Sequence, residues 1–358
     1  IRDSSNTTGG NNQAVGYQAL RSNTTSNYQT AIGYQALYSA TAPTDVNTGV
    51  GPFVLYGLTT GYNNDAFGYN ALGSVATGAN NSAFGREALT ANTGSGNVAF
   101  GSASAAANTT GASNSAYGYA SLRLNTTGSY NTALGSTALY SNTTASYNTA
   151  VGYQALYSNT TGQYNTAEGY QAGYAITTGL NNVAIGASAM STGAGVTGNG
   201  NCGVGTGALL ALTSGSWNTA IGNAYGAGTG VLISNTTGSY NIAVGSGALY
   251  SNTTASNNTA VGYQALTSNT TAANNTAIGY QTAYSNTTGS ITAFGTQAGY
   301  SNTTGVYNVF IGGWDSTSYG AGGSTTTGGY NTALGAGSLA KNTTASNNTA
   351  VGYQAGYS

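Results

Sequence analysis

The chain repeats one pattern of apolar and polar positions along its length, most plainly over residues 148–165, which read N-T-A-V-G-Y-Q-A-L-Y-S-N-T-T-G-Q-Y-N. Counting from the central glycine as position 0, position −3 is Thr, Val or Ile (Thr149, Val183, Ile242), with Cys202 in one copy. Position −2 is almost always Ala (Ala150, Ala184, Ala243), and position −1 is Val, Ile, Leu or Phe (Val151, Ile185, Leu134, Phe100). Four or five β-compatible residues ending in glycine are too short and too β-branched for a helix, and predict a strand. Positions +3 and +4 are Ala and often Leu, as in Ala155-Leu156, which makes a second short apolar patch. Between the patches lies S-N-T-T-G-x-Y-N, a run of turn formers.

The central glycines are Gly16, Gly33, Gly51, Gly68, Gly85, Gly101, Gly118, Gly135, Gly152, Gly169, Gly186, Gly205, Gly222, Gly245, Gly262, Gly279, Gly295, Gly312, Gly335 and Gly352, giving 20 copies. Most steps are 17 residues and a few are 16 or 18; the step is 19 from Gly186 to Gly205 and 23 after Gly222 and Gly312. A fixed short period marks a solenoid. Two short strands and two turns close one coil, with neighbouring coils about 4.8 Å apart. The predicted fold is therefore all-β: a parallel β-solenoid, or β-roll, of about 20 coils with a 17-residue repeat, one continuous array over residues 1–358. Its expected length is about 95 Å.

In-register stacking sets each side chain on its own copy in the next coil. Three tyrosine ladders follow: at +1 (Tyr17, Tyr34, Tyr69, Tyr153, Tyr170, Tyr263, Tyr280, Tyr353), at +5 (Tyr38, Tyr140, Tyr157, Tyr250, Tyr284) and at −5 (Tyr28, Tyr130, Tyr147, Tyr164, Tyr240, Tyr307, Tyr330). An asparagine ladder is expected at −4 (Asn131, Asn148, Asn165, Asn182, Asn218, Asn258, Asn275), with amides bonding coil to coil. These rows read as structural glue, with an aromatic sugar-binding surface as the alternative.

Composition narrows the function. Charged residues are 3% of the chain and the net charge is −1, which leaves no electrostatic footprint for nucleic acid or an anionic membrane surface. Solubility must come from Asn, Thr, Ser and Gln, or from attached sugar. A chain rich in Gly, Ser, Thr and Asn raises disorder as a rival, but 29 tyrosines and apolar residues at fixed phase speak against it. The single cysteine, Cys202, excludes an intrachain disulfide framework. Without histidine, and with six scattered carboxylates, no nucleophile–base pair or metal cluster can be assembled, so no enzyme, metal or cofactor is expected. No apolar run approaches the roughly 18 residues needed to cross a bilayer, so no membrane insertion is expected. The start at Ile1-Arg2-Asp3, without Met or signal peptide, reads as a processed product or a window on a longer protein.

The block from −4 to the glycine, as in Asn182-Val183-Ala184-Ile185-Gly186 and Asn241-Ile242-Ala243-Val244-Gly245, resembles the head repeat of the trimeric autotransporter adhesins, the YadA-like family. It is also similar to repeats of some phage tail-fibre proteins. The resemblance implies a left-handed parallel β-roll that forms a trimer on the bacterial surface. This chain departs from it in a slightly longer repeat, in N-T-T turns, in many tyrosines, and in lacking a coiled-coil stalk or membrane anchor, so autotransport is not implied.

The residues independently point to assembly. Along T-A-V-G, Thr and Val face one way and Ala and Gly the other, so both faces are small or apolar. One face can fill the coil and the other suits contact with another chain, although a thin monomeric solenoid could also use small residues at its corners. The last residues, Ala355-Gly356-Tyr357-Ser358, stop mid-repeat, and Asn6-Thr7-Thr8-Gly9 supply its next part. Head and tail in phase imply a continuing array or end-to-end stacking into a filament.

Twelve N-T-T triplets, beginning at Asn6, Asn23, Asn108, Asn125, Asn142, Asn159, Asn235, Asn252, Asn269, Asn286, Asn302 and Asn342, match the glycosylation sequon. Most fall at +7, where glycans would line one edge; the competing reading is a good turn with Asn and Thr bonding the backbone. Glu168 takes a slot held elsewhere by Val, Ile, Leu or Phe, and reads as an exposed strand end or partner contact. Arg86-Glu87 reads as a solvated pair. The two long steps insert residues near 224–233 and 314–327, and Trp314 and Asp315 are the candidate ligand contact, against an ornamental bulge. The sequence reading is thus an extracellular structural protein, self-assembling into a fibre or filament. The rival is an adhesin head or phage tail-fibre module binding a surface glycan or host receptor. An ice-binding Thr array is a third class, disfavoured by the bulky Tyr and Asn rows.

Overall fold

A computed structural model of the chain describes residues 10–41, 46–74, 77–192, 195–224, 230–314 and 319–357. The chain divides into two compact units, Ile1–Thr178 and Gly179–Ser358. In the first, the described residues form β1 (Gln13–Val15), β2 (Thr30–Ile32), β3 (Asn47–Val50), β4 (Asn64–Phe67), β5 (Ser82–Phe84), β6 (Val98–Phe100), β7 (Ser115–Tyr117), β8 (Thr132–Leu134), β9 (Thr149–Val151) and β10 (Thr166–Glu168). In the second they form β11 (Val183–Ile185), β12 (Cys202–Val204), β13 (Thr219–Ile221), β14 (Ile242–Val244), β15 (Thr259–Val261), β16 (Thr276–Ile278), β17 (Ile291–Phe294), β18 (Asn308–Ile311), β19 (Thr332–Leu334) and β20 (Thr349–Val351). Within each unit every strand pairs in parallel with the next, and like position meets like: Thr132, Ala133 and Leu134 lie opposite Thr149, Ala150 and Val151. Each unit is therefore a parallel β-solenoid advancing one coil per repeat, as the periodicity predicts.

The coil around Gly152 shows why this sequence closes. Asn148, Ala150, Ala155, Leu156 and Asn159 are all fully buried, so the interior is two small residues, one large one and two amides. The alternation expected of a strand puts Ala150 inside and leaves Thr149 and Val151 outside. The second apolar patch differs from expectation: Ala155-Leu156 is a turn, not a strand, and Leu156 adopts a left-handed backbone (φ 50°). Left-handed corners recur at +2 (Gln154, φ 55°) and at −5 (Tyr164, φ 59°, for the following coil). A leucine in that region costs about 1–2 kcal/mol. Burying its side chain returns about 1.5–3 kcal/mol, and its N–H also donates to the Ala172 carbonyl at 3.0 Å. The Leu156 corner is thus tolerated because it turns a core residue inward, and all three corners keep their N–H in a ladder running along the axis.

Position 0 is restricted to glycine by contact between coils. A Cβ on Gly118 (φ +131°) would lie 2.6 Å from the Gly135 carbonyl oxygen and 2.7 Å from its carbon, both backbone atoms that cannot step aside. One coil departs from the small-residue rule at −2, where Phe310 stands fully buried. Its ring fits because the residues facing it are Gly299, at +4, and Gly322, which fills the same slot after the 23-residue step; a Cβ on either would meet the ring at 2.9 and 2.6 Å.

Candidate functional site

The surface feature built by every strand is the outer face of the sheet. With Ala turned inward, the −1 side chains form one row: Val15, Ile32, Val50, Phe67, Phe84, Phe100, Tyr117, Leu134 and Val151 in the first unit, ending at Glu168. Leu134 is 48% exposed, Val15 60% and Ile32 39%, so the row meets solvent along much of its course. Phe67, Phe84, Phe100 and Tyr117 stack at centroid separations of 4.6, 4.5 and 5.3 Å. The second unit carries the same row in Ile185, Val204, Ile221, Val244, Val261, Ile278, Phe294, Ile311, Leu334 and Val351, with Ile221 and Leu334 exposed. Glu168 is exposed, so its carboxylate meets no desolvation cost. Arg86 and Glu87 form an exposed ion pair at 2.8 Å, the solvated pair expected.

The tyrosine ladders form as the spacing predicts. At −5, Tyr130, Tyr147 and Tyr164 stack at 5.1 Å with interplanar angles of 7° and 4°. At +5, Tyr140, Tyr157 and Tyr174 stack at 5.1 and 5.2 Å. Burial raises the Tyr157 phenol above its ordinary pKa, with the neighbouring Tyr140, Tyr174 and Tyr153 adding to the effect. Arg123 lies over the Tyr140 ring at 5.9 Å and donates to its hydroxyl at 3.3 Å. A ring between two neighbours, such as Tyr147, has both faces covered, so what it exposes is edge. Sugar rings stack on aromatic faces, so the interior of a ladder offers them no platform.

The −4 asparagines bond coil to coil as expected: Asn148 Oδ1 accepts from the Asn165 N–H at 2.9 Å, while Asn148 Nδ2 donates to the Gly162 carbonyl at 2.9 Å and to Asn131 Oδ1 at 3.3 Å. The N-T-T asparagines require correction. They do not line an outer edge but form a second inner ladder: Asn108, Asn125, Asn142, Asn159, Asn235, Asn252, Asn269, Asn286 and Asn302 are fully buried and Asn23 nearly so. Asn142 Nδ2 donates to Asn125 Oδ1 at 2.8 Å and to the Ala145 carbonyl at 3.0 Å. A glycan on that nitrogen would have to leave through the packed coil and would break both bonds. Asn342 is half-buried, with Nδ2 donating to the Ala345 carbonyl at 3.1 Å. Asn6 lies outside the described residues. In the first unit the ladder stops at Asn159, whose buried Oδ1 has no hydrogen-bond partner, because the next +7 slot holds Ile176.

Trp314 is 52% exposed and its backbone N–H donates to the Thr296 carbonyl at 3.0 Å; Asp315 lies outside the described residues, as do 225–229 of the other insert. That insert rejoins the fold at Val231-Leu232, both buried, which occupy the slots of Ala155-Leu156. Cys202 is half-buried on β12, and burial pushes its thiol pKa up. Among the described residues no three of His, Cys, Asp and Glu gather as metal ligands, and no helix is long and apolar enough to cross a membrane. No protein-family model matches the chain, and no curated protein matches it.

Proposed function

We propose that the chain is an extracellular structural protein that self-assembles side by side into a fibre, with the outer sheet face as the contact between copies. The observation that carries this reading is the outward row of −1 side chains, exposed or half-buried along its course and apolar in every coil of the second unit and in all but the Glu168 coil of the first. A regular solvent-facing stripe of Val, Ile, Leu and Phe is hard to account for in an isolated chain, and contiguous apolar patches mark interaction surfaces. A second copy has the same axial pitch, so its row can match this one coil for coil. With 3% charged residues there is little like-charge repulsion to oppose that approach. The extracellular setting is supported by the resemblance of the −4 to 0 block to bacterial surface repeats.

Sedimentation and electron microscopy of the native chain beside Leu134→Glu test the proposal. Burying an unpaired carboxylate costs a few kcal/mol, so the variant should associate at least about tenfold more weakly, each 1.4 kcal/mol being a factor of ten. Native chains that stay monomeric at high concentration, or a variant that associates as tightly, would sink the reading. An adhesin or tail-fibre module is the second reading, resting on the exposed Trp314 beside the 23-residue step; it gains if monomeric or trimeric heads bind a glycan or receptor and Trp314→Ala abolishes that binding.

A further inference from the structure

We propose that the Tyr130–Tyr147–Tyr164 ladder is a site of oxidative cross-linking, in which one-electron oxidation joins neighbouring rungs as dityrosine and staples successive coils of the first unit. This goes beyond the structural reading and does not rest on it, because the cross-link forms within one chain. The three rings lie one coil apart in sequence, at 130, 147 and 164, with centroids 5.1 Å apart and planes within 7° of parallel. They are 56%, 48% and 53% exposed, so an oxidant can reach their edges, where the hydroxyl and ortho carbons sit. The +5 ladder is as well aligned but more buried, and Tyr153 and Tyr170 lie further apart, at 5.6 Å with planes 15° off parallel. Exposure and close parallel stacking thus coincide best at −5.

The chemistry balances with a haem peroxidase and hydrogen peroxide. Each of two phenols gives up one electron and one proton and becomes a phenoxyl radical; the peroxide takes up both electrons and both protons and leaves as two waters. The unpaired spin is shared with the carbons ortho to oxygen. A C–C bond forms between ortho carbons of adjacent rings, and each displaced ring hydrogen moves to its oxygen, restoring both phenols. No cofactor is needed from the chain. What the fold supplies is a partner ring already at hand, since a tethered neighbour acts at an effective concentration of about millimolar.

The full chain is treated with peroxidase and hydrogen peroxide at micromolar concentration, digested with pepsin, and the linked peptides are sequenced by mass spectrometry. The expected products join Tyr130 to Tyr147 and Tyr147 to Tyr164, with yield per chain unchanged on dilution, because the tethered partner outweighs any free one by about a thousandfold. Tyr147→Phe keeps a stacked ring but has no phenol to oxidise; it should fold as the native chain does by circular dichroism and lose dityrosine from Tyr130 and Tyr164. Yields that fall in proportion to dilution would overturn the proposal. So would Tyr147 joined mainly to tyrosines of other rows, Tyr130 and Tyr164 still cross-linked in the variant, or no dityrosine at these positions.

Discussion

Replacing Gly205 by alanine separates two demands that glycine meets in this fold, because Gly207, two residues further in the same coil, meets one of them alone. Gly205 has φ +122°, and a Cβ there would lie 2.7 Å from the Gly222 carbonyl carbon and 2.9 Å from Asn223 Oδ1. Backbone strain of about 1–3 kcal/mol adds to about 1–3 kcal/mol of overpacking, so Gly205→Ala should cost roughly 2–6 kcal/mol. Gly207 has φ +66°, and the first atom its Cβ would meet is the Ala224 Cβ at 3.9 Å. Other copies place Thr137 and Gln154 at this corner with φ of 54° and 55°. Gly207→Ala should therefore cost roughly 1 kcal/mol or less once the stiffer unfolded chain is counted. Denaturant unfolding followed by circular dichroism compares the two, and hydrogen exchange locates the damage. In a stack where each coil touches its neighbours, the loss should concentrate at the bond from the Gly222 N–H to the Val204 carbonyl, 2.9 Å in the native chain. Equal losses for the two variants would refute the claim that coil-to-coil contact, and not the left-handed corner, fixes position 0.

Two further outcomes follow. Asn148→Leu should destabilise the first unit by roughly 2–4 kcal/mol, since it orphans the Asn165 N–H inside the coil and removes one of the two amide donors to the Gly162 carbonyl, leaving that of Asn159; a chemical melt within experimental error of the native one would show that the ladder contributes nothing. Cys202 should alkylate with iodoacetamide more slowly than an unstructured thiol at neutral pH. Its raised pKa keeps it protonated, and the folded thiol should reach full thiolate only at a pH above the ordinary thiol range. Because the folded pKa is raised, that proton favours the fold below the unfolded pKa, and the gain fades as pH rises through the folded pKa. A native chain that reacts as fast as an unfolded control at neutral pH would contradict this.

The architecture was legible because it is periodic. A Thr-Ala-Val-Gly block at fixed phase announces a strand, its inward Ala and its pairing partner together, and the tyrosine and −4 asparagine rows follow from the same period. The fate of Asn142 was not, because a sequon and an inward amide ladder are written with the same three letters. What separates them is which way a turn residue points, and that depends on the left-handed corner at Leu156 and its equivalents. Such corners usually announce themselves through Gly or Asn, whereas here leucine occupies them, held by burial. The exposed −1 row could be read from alternation, but the choice of Ala as the buried partner is decided by the narrow space opposite Leu156.

Phe310 bears on a problem that every array of near-identical coils faces during folding. A slip by one repeat would exchange Thr for Thr, Ala for Ala and Gly for Gly, and would leave most contacts unchanged, so the repeats by themselves specify pairing but not address. Phe310 breaks that degeneracy in the second unit, because Gly299 and Gly322 flank it in one alignment alone. Shifted back one coil, its ring would press on Ala283 in place of a glycine; shifted forward, on Leu339. The cost of crowding a packed interior then falls on the misaligned forms and spares the native one. One bulky residue and two absent side chains serve as a key and keyhole that tell otherwise interchangeable coils where they stand.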